Sequence, residues 1–183
     1  MNQHQHHGHG SGRATGVEGR HFCIHDGSRL TVHEIEGRPL EACDRCGWVL
    51  WRDPKLATAT LVLDAGGALV LARRATEPGY GKWCLPGGFV NDDEHPAAGA
   101  ARECLEEIGC DVAVDRLVGA YHVPKVDGPS MVVLGYTARL AGGACPRPGP
   151  EMLETGFFPL DQLPPLAFSS HREVLADWLA QRP

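Results

Sequence analysis

Between Pro96 and Gly109 the chain reads PAAGAARECLEEIG, a stretch with little choice of fold. Proline suits the first helical position, where no N–H is needed, and the alanines that follow favour helix. Gly109 then predicts the stop. Within that helix Glu103, Glu106 and Glu107 stand at i, i+3 and i+4, so their carboxylates project from one face about one turn apart. As a surface feature this placement is poor. Like charges at such spacing cost on the order of a few tenths of a kcal/mol per pair, and the last helical turn disfavours anions by roughly 0.3–1 kcal/mol. Arg102 is the one cation in the run, so a solvated acidic face explains the pattern badly. A hard divalent cation explains it better: Mg²⁺ or Mn²⁺ takes carboxylate and carbonyl oxygens and commonly shares them with substrate phosphates.

Taken with the residues before it, the pattern Gly88, Glu94, Arg102-Glu103, Leu105, Glu106-Glu107, Ile108, Gly109 resembles the box of the Nudix family at its positions of fixed identity. Cys104 and Cys110 stand where that family usually has aliphatic side chains, and Cys packs as a small apolar residue, so packing is expected of both. The resemblance implies an α/β (α+β) fold, an α/β/α sandwich on a mixed sheet. It also implies a loop-helix-loop that binds Mg²⁺ or Mn²⁺ and hydrolyses a nucleoside diphosphate linked to another group. On the same ground Glu103, Glu106, Glu107 and the Gly87 carbonyl are the expected Mg²⁺/Mn²⁺ ligands, with Arg102 orienting Glu103 through a charge-assisted pair. The general base is Glu103 or a loop acid, Glu151 or Glu154, and Glu154 is put forward for catalysis.

The 183 residues, 43% hydrophobic, suffice for one good core and a small appendage. A net charge of −6 lacks the basic field of nucleic-acid binders, so the expected partner is a small-molecule nucleotide and not nucleic acid. No apolar run approaches the ~20 residues of a membrane span, and the N-terminus lacks a signal-peptide core, so a cytoplasmic chain without a membrane partner is expected. A homodimer is compatible with this reading. Seven cysteines, an odd number, argue for reduced thiols over a disulfide framework.

In chain order, residues 1–20 are rich in His, Gly and Gln and predict a disordered tail, with His4, His6, His7 and His9 in it. Residues 21–53 predict a zinc-ribbon-like β element. Cys43-x2-Cys46-Gly47 has knuckle spacing, and Cys23 with either Asp26 or His25 would complete a tetrahedron around a structural Zn²⁺. Such a segment is too small to support its own core without metal. Residues 54–183 form the main domain. Residues 56–63 and 68–74 read as a hairpin, 115–122 and 131–140 as strands, and Pro124–Pro129 as a substrate lip. A short strand is expected at 154–160. A closing helix at 169–181 has Ser169 or Ser170 as N-cap and Val174, Leu175, Trp178 and Leu179 on one face.

The Cys-x2-Cys element, Asp53-Pro54-Lys55, Trp83 to Gly88, Gly149-Pro150-Glu151-x-x-Glu154 and Leu166 to Ser170 together resemble the zinc-ribbon Nudix group that includes FAD/ADP-ribose pyrophosphatases, over about residues 22–180. FAD or ADP-ribose is the substrate this implies. NADH pyrophosphatases also carry a zinc ribbon, but their SQPWPFP signature is absent, and Tyr121 to Lys125 stand there instead. Arg74, Phe168 and Tyr121 are the expected substrate contacts, with Phe158 a further stacking candidate. Two other readings compete: a nucleoside triphosphate pyrophosphohydrolase, and a non-catalytic nucleotide-sensing module on the same scaffold. Retention of Glu94, Glu103, Glu106 and Glu107 disfavours the second.

Overall fold

A computed structural model of the chain describes residues 13–124, 130–141 and 145–182. The chain divides into two compact units, Met1–Asp53 and Pro54–Pro183. In the first, β1 (Arg13–Phe22), β2 (Arg29–Ile35), β3 (Arg38–Ala42) and β4 (Val49–Leu50) form an antiparallel sheet in sequence order. Because β1 starts at Arg13, strand replaces the last part of the tail expected to run to residue 20. Backbone pairing with β2, from Arg13 opposite Glu34 to Phe22 opposite Arg29, needs no apolar side chains. The core of this unit is small: Leu30 packs with Cys23 and Cys43, and Trp48 and Leu50 lean on them.

The second unit runs β5 (Lys55–Leu63), β6 (Leu69–Arg74), β7 (Trp83–Cys84), α1 (Pro96–Ile108), β8 (Val112–Val123), β9 (Met131–Leu140), β10 (Met152–Phe158) and α2 (Ser169–Ala180). Its sheet has the order β10-β6-β5-β9-β8, with β7 on β6. β5 and β9 are parallel and the other pairs antiparallel, so the sheet is mixed as expected. Alternate residues of a strand face opposite ways, and β5 uses both faces. Ala57, Ala59 and Leu61 join the core that holds Val174 and Trp178 of α2, while Val62 joins the one that holds Cys104 and Ile108 of α1. Each face of the sheet thus carries its own helix, which is the expected sandwich.

α1 begins after His95, whose side chain accepts from the Ala97 N–H, and ends at Gly109, left-handed at φ 64°. α2 departs from expectation at its start. Phe168 is the N-cap and offers no side-chain bond, so neither Ser169 nor Ser170 caps the helix. The cause lies upstream: Leu166 bridges to Trp83 and the Ala167 N–H donates to the Trp83 carbonyl at 2.8 Å, holding the chain extended until Phe168. Ser169 is therefore already helical. Val174 and Trp178, one turn apart, are buried, but Leu179 is 41% exposed, so the apolar face is narrower than expected. β8 begins at Val112 instead of 115, and β10 sits at Met152–Phe158 instead of 154–160. The lip expected at Pro124–Pro129 lies, from Lys125 on, outside the described residues. Among the described residues no helix is long and apolar enough to cross a membrane.

Candidate active site

Cys104 and Ile108 bury the inner face of α1 against the sheet, which leaves Glu103, Glu106 and Glu107 facing a cleft of about 950 Å³. Burial pushes the Cys104 thiol up to about 12, and Cys110 is raised for the same reason, so both are packing residues, as expected. Gly88 enters the cleft because a Cβ there would lie 2.6 Å from the Glu103 carboxylate. Opposite, the Gly87 N–H donates to Glu107 Oε2 at 3.0 Å.

The electrostatics are dominated by acid. Glu107 is 7% exposed, and burial pushes its carboxyl up to about 8; Glu103 and Glu151 add to that, while the Gly87 N–H opposes it. Burial also raises Glu103, against the bond it receives from Arg102. That arginine is the organising cation. Its guanidinium donates to Glu94 at 2.7 and 3.1 Å, to Glu103 at 2.8 Å, to Glu106 at 3.2 Å and to the Phe89 carbonyl at 2.9 Å. The orienting pair expected between Arg102 and Glu103 is thus present, with Glu94 as a second anchor for the same fork. One guanidinium shared among three carboxylates, with Glu107 outside its reach, leaves negative charge in excess, which a hard divalent cation would offset. The donor set fits Mg²⁺ or Mn²⁺.

Of the expected substrate contacts, Arg74 and Phe168 line the cleft, with the guanidinium 5.3 Å from the ring centre. Tyr121 does not. It is buried in the core and its hydroxyl donates to Asp177 of α2 at 2.9 Å, because its position on β8 turns it toward that helix. Phe158 is likewise a core residue, edge-on to Trp83 at 4.8 Å. The structure places the two loop acids differently. Glu151 lines the cleft, whereas Glu154 lies on β10 and pairs with Arg73 at 3.4 Å. β10 starts at Met152, so the acid just before the strand points to the site and the one within it follows the pleat away.

Sequence reasoning missed His171, which lines the cleft from the first turn of α2. Its Nδ1 accepts the Leu85 N–H at 3.1 Å, and burial, reinforced by Arg74 and Arg172, pushes the imidazole down to about 3. A lone His near a helix start carries no signal of this; only the approach of Leu85 does.

In the first unit Cys23, Asp26, Cys43 and Cys46 each bring a ligand atom within 4.8 Å of the others. Two turns of one design supply them. In both, the N–H of a glycine four residues on, Gly27 or Gly47, donates to the cysteine carbonyl at 2.9 Å. Cys23-x2-Asp26 and Cys43-x2-Cys46 therefore superpose in role, with Asp26 where the second turn has a thiol. His25, the other candidate, instead stands edge-on to Trp48 at 6.1 Å. Tetrahedral Zn²⁺ with Zn–S near 2.3 Å and Zn–O near 2.1 Å needs S···S of about 3.8 Å and S···O of about 3.6 Å. Cys23 and Cys46 are 3.5 Å apart, and Cys43 is 3.7 Å from Asp26 Oδ2. The cluster can hold a metal.

The model of the NUDIX domain matches residues 53–179. A NAD-capped RNA hydrolase NudC of Pseudomonas aeruginosa is 31% identical over 171 residues, 91% of this chain and 59% of that protein. The chain thus spans little more than half the length of that relative. An ADP-ribose pyrophosphatase of Methanocaldococcus jannaschii is 31% identical over 165 residues, covering 89% of this chain and 93% of its own. Among solved structures, a NUDIX hydrolase from Nitrosomonas europaea superposes with a TM-score of 0.78 at 30% identity, over 88% of this chain and 91% of that one. One of these relatives is named for a capped RNA, so net charge does not exclude RNA-linked substrates.

Proposed function

Since this chain belongs to the NUDIX family, we propose that it hydrolyses the pyrophosphate linkage of a nucleoside diphosphate derivative with Mg²⁺ or Mn²⁺, and that FAD or ADP-ribose is preferred over NADH. The observation that carries the reading is the single cleft lined at once by Glu103, Glu106 and Glu107 and by the stacked pair Arg74 and Phe168. Glu103, Glu106 and Glu107 would hold the cation, with the Gly87 carbonyl beside them. When bound, such a cation draws charge off phosphoryl oxygens and lowers the pKa of water. Arg102 fixes the carboxylates, and Glu103 and Glu151 are the acids placed to take a proton from the attacking water. Phe168, under Arg74, offers a face on which an adenine or flavin ring can stack. In the first unit, Cys23, Asp26, Cys43 and Cys46 hold a structural Zn²⁺ that replaces the core this sheet lacks.

A nucleoside triphosphate fits less well. It brings about four negative charges, and the cations lining the cleft among the described residues are Arg74 and Arg102, the latter already engaged. The test is a panel of FAD, ADP-ribose, NADH, a NAD-capped RNA and nucleoside triphosphates, each with Mg²⁺ and Mn²⁺. Catalytic efficiency on FAD or ADP-ribose should exceed that on any triphosphate at least about tenfold, roughly 1.4 kcal/mol in transition-state binding. Equal or better efficiency on a triphosphate would overturn the substrate assignment.

A further inference from the structure

The start of α2 is built differently from that of α1. Where α1 has a capping side chain, the first N–H groups of α2 receive none, and Phe168, Ser169, Ser170 and His171 all face the cleft. Free N–H groups at a helix start attract anions. Two side chains point the same way. Ser170 is 6% exposed and His171 8%, and neither the Ser170 hydroxyl nor the His171 Nε2 has a hydrogen-bond partner among the described residues. The ring's tautomer is set from behind. Nδ1 accepts the Leu85 N–H at 3.1 Å, so in the neutral ring the proton sits on Nε2, facing the cleft as a donor. Burial keeps the imidazole neutral at any ordinary pH. A donor and a hydroxyl that line the cleft without a protein partner suit a ligand rich in acceptors.

The position of this corner narrows the ligand. Leu85 reaches His171 through its N–H, and Gly87, two residues on, reaches Glu107 through its own. His171 and Glu107 line the same cleft, so the corner and the acidic cluster face one ligand. Arg74 stands by with its charge, its guanidinium held by the Pro78 carbonyl and Thr76. Donors and a cation, with no acid of their own, suit phosphoryl oxygens.

We propose that the start of α2 is a phosphoryl subsite, in which the His171 Nε2–H, the Ser170 hydroxyl and the free N–H groups of the first turn bind the substrate phosphate farther from Glu107. This rests on the diphosphate reading above and adds to it the residues that grip the second phosphate.

The test is inhibition of the full-length enzyme by inorganic pyrophosphate, read beside inhibition by adenosine, for wild type, Ser170→Ala and His171→Asn. Asn keeps an acceptor for the Leu85 N–H but cannot extend a donor into the cleft. Pyrophosphate inhibition should weaken about tenfold in His171→Asn and about threefold in Ser170→Ala, with KM for the nucleotide rising in step, as expected for lost binding contacts. Adenosine inhibition should not change. Unchanged pyrophosphate inhibition in both variants, or an equal loss of adenosine inhibition, overturns the assignment. If ADP-ribose is not turned over, the same inhibition is read on whichever nucleotide of the panel is. If none is, calorimetric binding of pyrophosphate by the three proteins replaces it, so the subsite stands or falls separately from the substrate.

Discussion

The two places where this chain gathers anionic donors do so by opposite routes. Glu103, Glu106 and Glu107 come from one helical turn, and α1 is anchored by Cys104 and Ile108 whether or not a cation is bound. Cys23, Asp26, Cys43 and Cys46 come from two turns joined through β2 and β3, and they meet only when that sheet has formed. Charge is handled differently as well. In the cleft, Arg102 bridges Glu94, Glu103 and Glu106, so the helix tolerates its acids while one buried carboxyl, Glu107, stays unbridged. In the first unit two of the candidate ligands, Cys23 and Cys43, are buried beside Leu30 in the small core. The difference teaches that a cation should tune the first site and hold the second together.

The largest effect should come from breaking the second site. Cys43→Ser should take the protein, with its own metal as purified, from about one zinc per chain to none. It should also lower hydrogen-exchange protection of the β2 and β3 amides at least about a hundredfold, as expected where metal binding is folding free energy. Retained zinc or retained protection would erase the contrast.

The next test lies in the cleft. Burial raises the folded-state pKa of Glu107 from 4.5 to about 8, so its contribution to stability is fully present below pH 4.5 and is lost as pH rises toward 8. Without added divalent metal, the melting temperature of the second unit should therefore fall across that window, and Mg²⁺ should raise it more at pH 8 than at pH 5. A Mg²⁺ effect independent of pH would separate Glu107 from the cation.

A smaller change sharpens the role of Asp26. Asp26→Cys would replace an oxygen ligand with a thiolate, and zinc should then withstand a competing chelator about tenfold better. Weaker retention would mean that Asp26 is no ligand. Smallest of all, Tyr121→Phe should cost about 1 kcal/mol through the lost bond to Asp177 and leave kcat/KM within about twofold, since the ring is not in the cleft.

These contrasts also mark what could be read from residues alone. The α1 helix, its cap at Gly109, the acidic face and the β5–β6 hairpin follow from local spacing, and local spacing is visible in a sequence. Asp26 and His25 are equal candidates in the sequence, and what sets Asp26 beside the three thiols is a turn at Cys23 that repeats the turn at Cys43. Glu151 and Glu154 differ only in which precedes the first residue of β10, a boundary that sequence places to within a few residues at best. Tyr121 and Phe158 carry the right chemistry for stacking, but which face of a strand meets a helix is decided by the partner. His171 takes its role from Leu85, far away in the chain, and no pattern encodes that meeting.

The central claim is that the acidic face of α1 is the catalytic metal site of a pyrophosphohydrolase. It is tested most directly by turnover of ADP-ribose by wild type and Glu107→Gln at saturating Mg²⁺, with folding of both checked by circular dichroism. Glu107→Gln keeps the shape of a side chain whose carboxylate faces the cleft, so the variant should fold and lose at least about a thousandfold in kcat, the scale expected when a ligand charge is removed from a hard-cation site. Turnover by a folded Glu107→Gln within a few-fold of wild type would contradict it.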